Sequence, residues 1–354
     1  MSKFTYKWNL SDLKDVPKNG LKVFSCFACG GGSTMGYKMS GFEVIGCNEI
    51  DPEMMAIYKQ NHNPKYSYLE SIETFKLRND LPKELYNLDI LDGSPPCSSF
   101  SMAGSREKAW GKKKKFREGQ ADQILDDLFF HYIELAQKLQ PKIVVAENVK
   151  GMLMGNAKGY VKQIINLFNV AGYDVQLFLL NGATMGLPQK RERVFFVCRR
   201  KDLNLPSLKI GFDEKIITAK ESVSDLLHLE SDYKLKEGKL GFILWSKVSV
   251  GDSLSKGHSK SSWLGHVKTN PNKPFHTLNA GNNGGKAHYR WDRPEVLHYK
   301  WWERAFSFPE DYKYKNKSLA RYQMGMSVPP LMMHKISEQI YKQWFSNLSV
   351  NYDK

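Results

Sequence analysis

Three short stretches of the chain border apolar runs with side chains that can do chemistry. In "LDILDGSPPCSSFS", residues 88–101, Pro95 and Pro96 deliver a single thiol, Cys97, at the close of a strand-like run. Proline fixes its own φ, so the backbone around the thiol is stiff, which suits a nucleophile whose attack geometry matters at the ångström scale. The ordinary fate of a lone cysteine is a small buried hydrophobe, and that alternative stands until the other stretches are considered. "VVAENVKGM" sets Glu147, followed by Asn148, at the end of a second run, and "MGLPQKRERVFF" packs Gln189, Arg191 and Arg193 ahead of a third. Taken alone, "QKRER" reads as a solvated charge run.

A fourth stretch speaks of a ligand. "VFSCFACGGGSTMG" places Gly30 to Gly32 between a strand pattern and a helix pattern, where glycine permits a tight turn and close approach of backbone to ligand. Glu49, at the end of "VIGCNEID", follows at about the spacing at which a carboxylate accepts hydrogen bonds from ribose hydroxyls. The glycines do not spell G-x-G-x-x-G, so a compact nucleoside such as S-adenosylmethionine fits better than a dinucleotide. A turn with no ligand is the alternative. Cys26 and Cys29 form a C-x-x-C, but no second pair exists to complete a zinc site, and packing is the better reading than redox or metal chemistry. No metal is expected.

The elements that must position these groups alternate. "LKVFSCF", "FEVIGCN", "LDILDG" and "KIVVAEN" read as buried parallel strands, with "PEMMAIYKQN", "DDLFFHYIELAQKL" and "GYVKQIINLFNVAG" as helices between them. That order implies an α/β fold with a doubly wound, mostly parallel sheet. After "RVFFVCRRKDL" a polar stretch rich in Lys, Ser, Gly and Asn runs to about residue 290. The helix pattern "SLARYQMGMSVPPLMMHKISEQIYKQWF" then returns. The expected division is therefore 1–205, a smaller domain over 206–317, and a return over 318–354.

Composition bounds the partners. The chain has 354 residues and 41% hydrophobic content, enough for a real core, and it carries a formal net charge of +15. Clustered Lys and Arg gain affinity by displacing counterions from phosphates, so nucleic acid is the leading partner, a solvated lysine-rich surface being the alternative. Five cysteines, an odd number, suit a reducing compartment. There is neither a signal-peptide pattern nor an apolar run of roughly 18 residues, so a cytoplasmic protein without membrane contact is expected.

Read together, the stretches resemble the DNA cytosine-5 methyltransferase family. "CFACGGG", "NEID", "GSPPCSSFS", "AENV", "QKRER" and "YQMGMSVPP" are similar to its signatures and occur in family order across nearly the whole chain. "PFHTLNAGNNGG" and "KWWERAFSFPEDY" are weaker likenesses, with Lys300 and Trp301 where the family usually has Arg and Glu.

The resemblance implies a class I, Rossmann-like methyltransferase fold with a small target-recognition domain. It implies methyl transfer from S-adenosylmethionine, leaving S-adenosylhomocysteine, to carbon 5 of a cytosine flipped out of double-stranded DNA. It makes Cys97 the nucleophile, Glu147 the acid at N3 with Asn148 bracing it, and Arg193, or second Arg191, the cation beside O2. The cofactor would be held by Phe27, Cys29, Gly30, Gly31, Glu49, Ile50, Ser71, Pro95, Met326 and Val328. DNA or base contacts fall to Gln189, Thr277, Ser98 and the run Lys112, Lys113, Lys114 and Lys115. A monomer is expected, with a cognate restriction endonuclease as a possible partner. Three positions depart from the family: Cys29 stands for a usual glycine, Met326 for a usual asparagine, and Ser71 for the acid near the adenine. The rival branch, transfer-RNA methyltransferases, carries Gln-Pro-Phe after the cysteine, which "GSPPCSSFS" lacks. A catalytically silent DNA-binding relative would not need Cys97, Glu147 and Arg193 together.

Overall fold

The computed structural model describes residues 4–96, 127–155, 157–258, 263, 265–280 and 287–346, with backbone alone at 113–114 and 123–124. Cys97, Ser98, Lys112 and Lys115 lie outside the described residues, and of Lys113 and Lys114 only the backbone is described. Contacts between Cα atoms group the chain into two compact units: Leu13–Leu180, Glu192–Gly211 and Met333–Lys354 in one, and Met1–Asp12, Asn181–Arg191 and Phe212–Met332 in the other.

The larger unit runs β1 (Lys22–Cys26), α1 (Gly32–Met39), β2 (Glu43–Glu49), α2 (Pro52–His62), β3 (Tyr66–Leu69), α3 (Ile72–Phe75) and β4 (Ile90–Gly93). A short antiparallel pair follows, β5 (Lys113–Lys114) with β6 (Gln123–Ile124). Then come α4 (Leu128–Leu139), β7 (Ile143–Val149), α5 (Ala157–Val170), β8 (Tyr173–Asn181) and β9 (Glu192–Arg200). Seven strands form one sheet in the order β3-β2-β1-β4-β7-β9-β8, parallel from β3 to β7, with β9 antiparallel to β7. This is the doubly wound α/β sheet that the alternating pattern implies.

The four strands legible as apolar runs, β1, β2, β4 and β7, are central and almost wholly buried. Burial on both faces is what makes a strand read as a continuous apolar run. Aromatic side chains fill the layers beside them, with Phe24 stacked on Phe75 at 5.5 Å and Phe129 edge-on to Phe196 at 5.1 Å. Local chemistry starts the helices: Asp51 caps α2 by accepting from the main-chain N–H of Glu53 and Met54, and Pro52 follows it.

The smaller unit holds α6 (Ala219–Ser222), α7 (Leu240–Lys247), α8 (Tyr299–Phe306), α9 (Lys317–Met326), the first residues of α10 (Pro330–Ile340), and a two-stranded pair, β10 (Val267–Lys268) with β11 (His288–Tyr289). Leu235, Leu244, Val248, Leu254 and Tyr289 form a core of its own. Its bounds differ from the expected 206–317, because two distant segments pair into it. Trp8 donates its indole N–H to the Ser307 carbonyl at 2.7 Å, and Gln189 bridges to Phe275. No helix among the described residues is long and apolar enough to cross a membrane.

Candidate active site

The site is built where strands of the larger unit end. Cys26, the last residue of β1, lies level with Asn48 of β2 on one side and Gly93 of β4 on the other, and Gly93 lies level with Ala146 of β7. The glycine turn, Glu49, the Pro95–Pro96 turn and Glu147 thus leave the sheet at one edge. β1 is also where the chain order reverses, and open α/β sheets bind ligands at such a switch point.

The glycine turn is unusual in its backbone. Phe27 and Cys29 both take left-handed φ, 53° and 45°, as does Gly31 at 75°. A side chain at Gly31 would collide with His62, whose Nε2 lies against the place a Cβ would occupy. Glu49 ties the turn down: its Oε2 accepts from the Cys29 N–H at 2.7 Å, and its Oε1 from the N–H groups of Ile50 and Asp51 at 2.8 Å each. Burial pushes the Glu49 carboxyl above its ordinary value against these donors. Oε1 accepts two bonds and Oε2 one, so the carboxylate retains acceptor capacity on Oε2 for a ribose hydroxyl. A compact nucleoside therefore fits the donor set here. Cys29 keeps through its N–H the contact to Glu49 and leaves its thiol half-buried. Ser71 caps α3 by accepting from Thr74, and the acid beside it, Glu70, pairs with Arg78 at 3.0 Å.

Glu147 and Arg193 meet across β7 and β9. The antiparallel register sets Glu147 opposite Phe195 and Arg193 opposite Val149, which brings Arg193 Nε to 2.9 Å from Glu147 Oε1. Burial lowers Arg193 from the usual guanidinium range, and the Glu147 charge opposes that shift. Arg193 Nη1 also donates to the Glu192 carbonyl at 2.9 Å. Asn148 does not brace Glu147. Its Nδ2 donates to the Pro95 carbonyl at 2.9 Å, and its Oδ1 accepts from the Val149 N–H, so it pins the proline turn to β7 instead.

The remaining expected residues lie in the smaller unit. Arg191 is buried and spends its guanidinium on main chain, donating from Nη1 to Leu278 and from Nη2 to Gly325 and Ser327, with Phe306 under its face. It is a brace for the segment around Met326 and Val328. Gln189, fully buried, donates to the Ala305 carbonyl and accepts from the Leu278 N–H, which leaves its amide engaged with protein rather than DNA. Thr277 donates to the Lys190 carbonyl at 2.7 Å. Met326 is exposed and Val328 buried.

One group at the strand ends escapes a reading of the sequence as an apolar run. Asp92, the residue before Gly93, is 2% exposed and accepts from Ser25 Oγ at 2.8 Å and Tyr37 OH at 3.3 Å. Burial raises its carboxyl to about 7. An acid inside "LDILDG" is the signal that could have revealed it. The other cysteines of the sheet, Cys26, Cys47 and Cys198, are buried with their thiols pushed up, Cys47 to about 12, as packed side chains should be. Among the described residues no cluster of His, Cys, Asp or Glu could hold a metal ion.

Comparison with known proteins adds to this geometry. The family model of C-5 cytosine-specific DNA methylase matches residues 21–342. Type II methyltransferase M.NgoPII of Neisseria gonorrhoeae is 35% identical over 212 residues, 59% of this chain and 58% of that protein. Type II methyltransferase M.FnuDI of Fusobacterium nucleatum is 36% identical over 209 residues, 58% of this chain and 56% of that protein. The matched part thus spans less than two thirds of either relative. A crystal structure of a DNMT2 variant from Spodoptera frugiperda aligns with a TM-score of 0.64 at 15% identity, covering 91% of this chain and all of that one, a likeness of fold.

Proposed function

Since the chain belongs to the C-5 cytosine-specific DNA methylase family, we propose that it methylates carbon 5 of a cytosine at a specific site in double-stranded DNA, with S-adenosylmethionine as donor. The observation that carries this reading is the buried Glu147–Arg193 pair at the strand edge shared by the glycine turn and the Pro95–Pro96 turn.

Carbon 5 of cytosine is a poor nucleophile. Addition of the Cys97 thiolate to carbon 6 breaks the double bond between carbons 5 and 6 and moves an electron pair toward N3 and O2. Glu147 relays a proton from solvent to N3, and Arg193, fixed against β7, meets the charge developing at O2 without reorganising. A stacked base hides both ring faces, so this attack requires the cytosine to leave the duplex. The cofactor, when bound near Glu49 and the glycine turn, supplies the electrophilic methyl. Loss of the carbon 5 proton to solvent then restores the double bond and expels Cys97 as thiolate, and N3 returns its proton through Glu147. Asn148 holds the proline turn that leads to Cys97. The smaller unit reads the target sequence, and the lysines from Lys112 to Lys115 contact phosphates. Because the named relatives are Type II methyltransferases, a cognate endonuclease is part of the proposal.

Bisulfite sequencing of plasmid DNA from cells expressing the protein tests this. Protected cytosines should recur at one sequence and vanish with Cys97→Ser. Plasmid DNA with no protected cytosine would contradict the reading.

A further inference from the structure

Asp92 has no part in the mechanism above, yet it sits at the centre of a buried polar cluster between β1, β4 and α1. Its two oxygens accept from Ser25 of β1 at 2.8 Å and Tyr37 of α1 at 3.3 Å, and the Ser33 hydroxyl at the start of α1 hydrogen-bonds to it as well. Ser25 is 1% exposed and Tyr37 not at all. Burying a carboxylate is costly unless it is well bonded, and an apolar residue would fill a strand position here without that cost. The position of the cluster suggests what the cost supports. α1 is the helix onto which the glycine turn opens, and Asp92 is followed by Gly93 and the Pro95–Pro96 turn.

We propose that Asp92 is a positioning residue: it ties the helix leaving the cofactor turn to the strand end that carries the nucleophile segment, so that the two loops are set relative to each other. The inference rests on the proposed methyltransferase reading. Among the described residues, the groups that interact with Asp92 are Ser25 and Cys26 from β1, Ser33 and Tyr37 from α1, Tyr132 from α4 and Glu147 from β7. Of these only Glu147 adds negative charge, and with burial it favours a proton on Asp92. Asp92 therefore changes charge near neutral pH. Ionised, it accepts from all three hydroxyls; protonated, it must itself donate, and one of those hydroxyls loses its acceptor.

Calorimetric titration with S-adenosylhomocysteine at 25 °C, on wild type, Asp92→Asn, Tyr37→Phe and the double variant, tests the tie. Each single variant should bind about tenfold more weakly while folded, the scale of one hydrogen bond to a charged group. The double variant should be no weaker than Asp92→Asn alone, because both changes break one connection. Unchanged affinity in a folded Asp92→Asn or Tyr37→Phe protein would overturn the proposal, as would additive losses in the double variant. If Asp92→Asn does not fold, Tyr37→Phe decides alone. A wild-type protein that fails to bind S-adenosylhomocysteine would instead contradict the proposed function on which the inference stands.

Discussion

Glu147 and Arg193 each depend on the other, because both are nearly buried and only 2.9 Å apart. Removing one partner of a buried pair leaves an uncompensated charge, at about 3–5 kcal/mol, so Arg193→Ala should unfold well below the wild-type temperature as well as lose activity. Glu147→Gln keeps the shape and a hydrogen-bond acceptor for Arg193 but cannot give N3 its proton. Its methyl-transfer rate should fall by about a hundredfold or more, with S-adenosylhomocysteine affinity within twofold of wild type, as measured by radiolabelled methyl incorporation and calorimetry. A rate near wild type would remove Glu147 from the chemistry. The placements of these two residues at one strand edge were legible because each lies near the end or the start of an apolar strand. Arg191 and Gln189 were not, although they share "QKRER" with Arg193. β9 begins at Glu192, so Arg191 does not enter the strand alternation that aims Arg193 at β7, and its guanidinium turns to carbonyls of another segment.

The β1–α1 connection stores backbone strain that its sequence records. Cys29 takes a φ of 45°, a region that costs a non-glycine residue roughly 1–2 kcal/mol. Cys29→Gly relieves that strain, offset in part by the greater freedom of glycine in the unfolded chain. The variant should be at least as stable as wild type and gain up to about 1 kcal/mol in denaturant titration; a clear loss would mean that the thiol packing outweighs the strain. β4 carries a pH signature. The Asp92 carboxyl stands raised to about 7 against an ordinary 3.8, so the folded state binds its proton more tightly than the unfolded chain does. Stability from this group is fully present below about pH 4 and is lost as pH rises through about 7, each tenfold difference in proton affinity between the two states being worth about 1.4 kcal/mol. The melting temperature of wild type relative to Asp92→Asn should therefore fall between pH 4 and 7; parallel curves would contradict a raised Asp92 carboxyl. Central strands declared themselves as apolar runs, whereas β3 and β8, at the sheet edges and only partly buried, carry mixed sequences that gave no such signal.

The division of the chain was only partly legible. The change in composition after residue 205 marks the polar region, but the segments 1–12 and 181–191 join the smaller unit through scattered pairings such as Trp8 with Ser307 and Gln189 with Phe275, which leave no periodic pattern. The net charge of +15 belongs to the molecule as a whole and favours a polyanionic partner such as nucleic acid. If Lys112 to Lys115 contact phosphates, replacing all four with Ala should weaken DNA binding for every sequence alike and flatten its salt dependence, by up to about 0.9 in the logarithmic slope per lysine. An unchanged slope would return them to solvent. The proposed bond from Cys97 to carbon 6 of an extruded cytosine can be trapped with duplex DNA carrying 5-fluorocytosine at the site found by bisulfite sequencing. With S-adenosylmethionine present, the fluorine blocks the proton loss that frees the thiolate, so a protein–DNA adduct should survive on a denaturing gel, with peptide mapping placing the link at Cys97 and Cys97→Ser forming none. Wild-type protein that methylates ordinary DNA yet yields no adduct with the fluorinated duplex, or an adduct at another residue, would rule out the covalent Cys97 route.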